Sequence, residues 1–129
     1  MKQLDVVSIG DIVTDAFIKL LDDQAVTYEN EQGKWLAMKF GTKLPFDHVE
    51  VVHGVGNASN AAVALARLGL NSGFVTNIGD DQEGREMIAT LHKNGVETAL
   101  VRVNPGKKSN YHYVLWYQAE RTILIKHEE

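Results

Sequence analysis

The sequence predicts an α/β fold, a parallel-sheet core carrying a small β-hairpin lid, and three observations carry that expectation. Short β-branched runs alternate with two segments of helical periodicity, which implies a βαβαβ order with right-handed crossovers. Two further pairs of apolar runs face each other across turn residues, and hairpins of that kind do not fit inside a βαβ unit. The chain has 129 residues, about the size of one domain, and shows no internal repeat or low-complexity segment.

The elements follow in order. Leu4 to Gly10 (LDVVSIG) is a β-branched run closed by glycine, as a buried strand would be. Asp11 and Asp15 come where the chain leaves that strand. Val26–Tyr28 and Lys34–Phe40 read as a hairpin turning across Asn30-Glu31-Gln32-Gly33. A further short strand is expected over Val49–Val52. The stretch HGVGNASNAAVALARLG, His53 to Gly69, passes from spaced glycines into an alanine-rich helix over about Ser59–Leu68. Asn57 or Ser59 is placed to cap its start, and Gly69 to end it. Alanines at 58, 61, 62, 64 and 66 make the helix thin enough to lie close on a sheet. Phe74–Ile78 reads as a strand. Asp80 and Glu83 have capping-box spacing for a second helix, whose Gly84, Met87, Ile88 and Leu91 share one face before Asn94-Gly95 stops it. Leu100–Val103 is a third parallel-type strand. Tyr111–Tyr117 and Thr122–Lys126 form a second hairpin, turning near Gln118 to Glu120. Alternation puts Tyr111, Tyr113, Leu115 and Tyr117 on one face and His112, Val114 and Trp116 on the other. The architecture is therefore a Rossmann-like parallel core with lid segments of about 16–52 and 108–127.

Composition removes several function classes. The formal net charge is −4 and no basic tract is visible, so the clustered Lys and Arg that drive nucleic-acid binding are missing. There is no apolar run of membrane-spanning length, and the N-terminus has too short an apolar stretch for a signal peptide. The absence of Cys excludes disulfides and thiolate metal sites. Five scattered His show no ligand spacing, so no metal site is expected. A cytoplasmic location is expected.

The glycine loop admits three ligand readings. Gly54-Val55-Gly56 before a helix suggests a dinucleotide fingerprint, but Ser59 stands at the position of its third glycine. A Walker A loop is excluded, because no Gly-Lys-Ser/Thr triplet occurs. The third reading is a polyol. Asp11 and Asp15 lie past the end of the first strand, where open parallel sheets bind ligands, and Gly56, Asn57 and Asn60 converge there from the helix N-terminus. Carboxylates accept from hydroxyls and Asn both donates and accepts, a mixture that suits a sugar better than a phosphate. Each residue alone also reads as a turn or helix cap. The glycines are expected to admit the sugar, and the alanines to let the helix pack tightly.

Several of these residues carry a resemblance. Gly56-Asn57-Ala58-Ser59-Asn60-Ala61-Ala62, with Gly69 and Gly79 beyond, resembles the first signature of the PfkB (ribokinase-like) family of sugar and nucleoside kinases. Val6 to Asp11 and on to Asp15 resembles that family's first strand and its substrate-binding Asp. Ile78-Gly79-Asp80-Asp81 through Gly84 resembles its strand-to-helix step. Tyr111–Lys126, with Glu120-Arg121-Thr122 at its turn, resembles a lid element. In the signature, Val55 stands where the family has the first of two adjacent glycines, which would narrow the loop or shift its backbone.

The resemblance implies that Asp15 binds acceptor hydroxyls, supported by Asp11, Gly56, Asn57 and Asn60, and that His112 faces the sugar from the lid. It also implies a limit. Family members are much longer, and their second half carries the nucleotide site and the Gly-Ala-Gly-Asp motif with the catalytic base. Neither occurs in this sequence, where Gly79-Asp80-Asp81 reads as a helix cap. The chain is thus expected to be the N-terminal, acceptor-binding portion of an incomplete ribokinase-like kinase. Its acceptor would be a sugar or nucleoside, and the chain would be inactive alone. ATP and Mg²⁺ are expected only for a complete enzyme. An assembly with a C-terminal half, or a homodimer, would cover the exposed core edge. The alternative is a non-catalytic sugar-binding or dimerisation module. The aromatics Trp35, Tyr113 and Trp116 would serve as an interface or stack on a ring.

Overall fold

The structure is a computed structural model and describes residues 2–128. Strands β1 (Val6–Ile9), β6 (Ser72–Gly79) and β7 (Val101–Asn104) form a parallel sheet in the order β1-β6-β7. Helices α1 (Asn57–Arg67) and α2 (Gln82–Lys93) connect into and out of β6. A second sheet has the order β5-β2-β8-β9, from β2 (Val13–Leu20), β5 (Phe46–Val55), β8 (Tyr111–Tyr117) and β9 (Glu120–Leu124). Strands β3 (Val26–Asn30) and β4 (Gly33–Ala37) make a separate ribbon. The α/β class with a parallel core is as the sequence predicts.

The core lies between the parallel sheet and the helices. Ile12, Ala62, Phe74, Ile78, Met87, Leu91 and Val96 are its buried members. Three of the five helix alanines, Ala58, Ala62 and Ala66, recur at a spacing of four and face it, as a helical period requires. Close approach depends on their size: a Cβ on Gly10, at the end of β1, would stand 2.7 Å from the Ala58 Cβ. Ala61 and Ala64 face solvent.

Two caps differ from expectation. Helix α1 starts at Gly56, with no side-chain cap. Ser59 is buried and donates its hydroxyl hydrogen to the Gly54 carbonyl instead, while Asn57 stays exposed. Helix α2 is capped by Asp81, one residue later than predicted, whose Oδ1 accepts from the Gly84 N–H at 2.9 Å. Asp80 accepts from the Gly106 N–H at 2.9 Å and so holds the turn after β7. Both acidic residues can cap in principle; the one that caps is the one Ser109 also reaches.

Ser109 ties the two sheets together. Its N–H donates to Asp81 Oδ2 at 2.8 Å, and its hydroxyl lies 2.7 Å from Asp81 Oδ1 and 2.9 Å from the Gly79 N. Burial alone would raise the Asp81 pKa; the hydrogen bonds from Ser109 and Gly84 outweigh it and lower the pKa below its ordinary value. A carboxylate whose pKa falls on folding stabilises the fold above its unfolded value, and that contribution disappears as pH drops through the lowered one. Ser109→Ala is expected to cost about 1–3 kcal/mol at neutral pH, because it strips partners from buried polar groups. The deficit should shrink as pH falls through the acid range. Urea unfolding of both proteins across pH checks this; a deficit independent of pH would point to packing alone.

The largest difference from the sequence reading is β2, which the turn-like Asp11 and Asp15 concealed. It is central in the second sheet, antiparallel to β5 and parallel to β8. Strand β5 is also longer than expected and runs directly into the glycine loop. The hairpin β8–β9 turns at Gln118-Ala119 and joins this sheet rather than standing apart.

Candidate functional site

Asp15 is inside β2, not in a turn, and the register shift between Val13 and Asp15 marks where the chain passes from the core into the second sheet. Its partner across the parallel pair is His112. Paired residues share a face, so alternation places Asp15 and Phe17 of β2 on the same side as His112 and Val114 of β8. The side predicted for His112 is the observed one.

That face closes one wall of a cleft of about 650 Å³. The opposite wall is the C-terminal end of β1 with the start of α1. All six residues singled out from the sequence line it: Asp11, Asp15, Gly56, Asn57, Asn60 and His112. They come from four separate segments, so the convergence is tertiary. Gly56 has φ +123°, and a Cβ there would meet the Asp11 carbonyl oxygen at 3.2 Å, so its small size lets the loop lie against the chain leaving β1. Gly54 serves packing rather than a ligand. It has φ +72°, and a Cβ would meet Thr90 and the Met87 carbonyl of α2. Val55, between the glycines, lines the cleft.

The electrostatics of the wall are unusual. Asp15 Oδ1 and His112 Nε2 are buried atoms with no hydrogen-bond partner. Asp15 Oδ1 and His112 Nδ1 are 3.6 Å apart, too long for a hydrogen bond. Burial raises the Asp15 pKa, and the nearby His112 and Arg121 only partly offset this. Buried polar atoms are rarely left unpaired, so this pair is suited to a ligand that both donates and accepts, as a hydroxyl does. A smaller hollow of about 270 Å³, between the ribbon and β8–β9, has Trp35, Leu36, Leu115 and Tyr117 on its walls and neither of these orphaned atoms.

Several cleft residues were not singled out from the sequence. Phe17, Val114, Ile123 and Ile125 supply apolar wall, Arg121 supplies a positive charge and His127 an imidazole. The His127 ring meets the His112 ring edge to face at 5.2 Å, with Nδ1 3.9 Å from Asp11 Oδ2. The alternation of β9 was the available signal for Arg121 and Ile123. None of the three aromatics weighed for ring stacking lines the cleft. Trp35 stacks on Tyr28, Tyr113 packs on Tyr111, and Trp116 lies under the Lys19 ammonium.

Among the described residues no group of three or more His, Asp or Glu stands close enough to hold a metal ion, and no lysine follows the glycines of the loop. No described helix is long and apolar enough to cross a membrane.

Comparison with known proteins agrees with this fold. The pattern of the pfkB family carbohydrate kinases matches residues 5–129. The 5-dehydro-2-deoxygluconokinase of Geobacillus kaustophilus is 41% identical over 46 residues, which are 36% of this chain and 14% of that protein. Fructokinase-1 of Zea mays is 34% identical over 95 residues, covering 64% of this chain and 29% of that protein. The crystal structure of Halothermothrix orenii fructokinase superposes with a TM-score of 0.69 at 20% identity, over 97% of this chain and 38% of that one. The chain thus spans well under half the length of the relatives it matches. Because the matched span takes in β1, the glycine loop with α1, and both walls of the cleft, the chain belongs to the pfkB family of carbohydrate kinases.

Proposed function

We propose that this chain is the acceptor-binding portion of an ATP-dependent PfkB-type carbohydrate kinase and binds a sugar or nucleoside in the 650 Å³ cleft. The observation that carries the reading is the orphaned pair, Asp15 Oδ1 and His112 Nε2, buried atoms of two residues that line the cleft. An acceptor hydroxyl donates to Asp15 and accepts from His112, while Asn57 and Asn60 hold neighbouring hydroxyls from the start of α1. The second sheet acts as a lid over the acceptor and excludes water, limiting ATP hydrolysis. Phosphoryl transfer needs acceptor, base, charge stabilisation and usually Mg²⁺ in alignment. Here Asp15 orients the hydroxyl. The described residues do not fit a metal–nucleotide site, so the phosphoryl step belongs to the rest of the enzyme.

The open face of the parallel sheet supports assembly. Parallel sheets are covered on both faces, yet Ile9 is 75% exposed. A further polypeptide portion supplying the nucleotide site would cover it; a second copy of the chain is the alternative, which would suit a non-catalytic sugar-binding module.

Titration of the purified chain with fructose, ribose and adenosine, followed by NMR, tests the binding role, and an ATP-consumption assay on the same sample tests activity. We expect shifts at Asp15, Asn57 and His112 with no phosphorylated product. Product formation overturns the inactive reading; no shift with any acceptor, acids included, overturns the binding role.

A further inference from the structure

We propose that Arg121 makes this cleft selective for acceptors that carry a carboxylate, that is, for a polyhydroxy acid over the neutral polyol. The inference rests on the acceptor-site reading above and narrows its substrate class.

The cleft is polarised. Its two carboxylates, Asp11 and Asp15, stand at the core end, beside the start of α1. Arg121 stands at the far end of the same wall. It pairs with Trp116, which is four residues along β8 from His112, a separation of about 13 Å at about 3.3 Å per residue. Arg121 lines this cleft and also the smaller hollow beside the ribbon, and its charge is felt at Asp15.

The charge of Arg121 is available. Its ionic partner is the neighbouring Glu120, at 3.7 Å, with the Glu120 side chain 85% exposed. Exposed pairs of that kind contribute little. Lys19, the other cation on this face, is already held by the Gln118 carbonyl at 3.1 Å and by the Trp116 ring. Arg121 is therefore a permanent cation on a ligand-sized cleft with only a weak, solvated partner.

The chemistry separates a carboxylate from a phosphate ester. A guanidinium matches a carboxylate through two parallel N–H donors. A dianionic phosphate would bring a second charge into a cleft that already holds Asp11 and Asp15, where Arg121 is the one permanent cation among the described lining residues. A carboxylate brings one charge where the phosphate ester brings two, and Arg121 can meet that one directly. His112 and His127, the remaining titratable groups on the cleft, stand beside the carboxylates.

Calorimetric titration of the whole chain with D-gluconate, D-glucitol and glucitol phosphate tests the proposal. D-Gluconate is expected to bind about tenfold or more tighter than D-glucitol, the effect of a hydrogen-bonded charge. Arg121→Gln should collapse that ratio to near one, and Arg121→Lys should keep part of it. Arg121 is exposed on a hairpin, so both variants are expected to fold, with circular dichroism as the check. Equal affinities, a ratio that survives Arg121→Gln, or tightest binding of glucitol phosphate each overturns the selectivity while leaving the acceptor site standing. Failure of all three ligands, together with fructose, ribose and adenosine, overturns the acceptor site itself.

Discussion

Replacing Asp15 by alanine is expected to lower acceptor affinity by about tenfold to a hundredfold, the range for losing a hydrogen bond to a charged group of about 1.5–3 kcal/mol. Stability should move the other way. Burial raises the Asp15 pKa above its unfolded value, with His112 and Arg121 offsetting only part. A group shifted in that direction contributes stability that is full below the unfolded pKa and lost as pH rises through the folded one. At neutral pH the ionised carboxylate therefore opposes folding. Asp15→Asn, which keeps the shape and removes the charge, should unfold at a higher temperature than the parent at neutral pH, with the gain vanishing in acid. Opposite signs in binding and stability are the mark of a residue kept for a ligand. Calorimetric titration and thermal unfolding on the same samples decide it. Unchanged affinity with reduced stability in Asp15→Asn would make the residue structural.

This opposition also explains what the sequence could and could not show. The helix α2 face was legible, because Met87 and Leu91 are spaced at the helical period and Asn94-Gly95 ends the run. The six cleft residues were legible through residue chemistry and position, although only the fold brings them together. Strand β2 was not. Thr14, Ala16, Ile18 and Leu20 do alternate with Asp15, Phe17 and Lys19, but an aspartate argues against a strand interior on local propensity. The charge sits there because the strand presents it to the cleft. A functional residue thus broke the local rule that would have revealed its element. Asp81 was missed as the cap for a different reason. Adjacent acids are equivalent locally, and the choice between them is made by Ser109, 28 residues away. Gly54 was read as ligand-facing because nothing local foretells that α2 passes beside it. Arg121 lay in a turn whose direction only the sheet settles.

Gly79→Ala is expected to be among the most damaging single methyls in the chain, costing about 3 kcal/mol or more, at the upper end of the usual range for overpacking. A Cβ there would collide with backbone, the Lys107 carbonyl and the Lys108 carbonyl carbon, and backbone cannot swing aside as a flexible side chain can. Neither can the segment move freely. Ser109 holds it to Gly79 N and to Asp81, and Asn110 continues the restraint by donating from Nδ2 to the Ile12 carbonyl at 3.3 Å. For a domain of this size the loss is a fall in Tm of roughly 10 °C or more. Gly106→Ala is the matched control: its φ is +71° with open space around it, so it bears only the backbone cost of about 1–2 kcal/mol. A Gly79→Ala protein no less stable than Gly106→Ala would refute the steric argument. The consequence reaches the cleft, because the strap displaced by the added methyl leads within three residues from Ser109 to His112. If Gly79→Ala folds by shifting that strap, His112 leaves its register opposite Asp15. Acceptor affinity should then fall in a variant whose altered residue does not line the cleft. A variant that lost stability but kept full affinity would show that the strap sets the fold without setting the site.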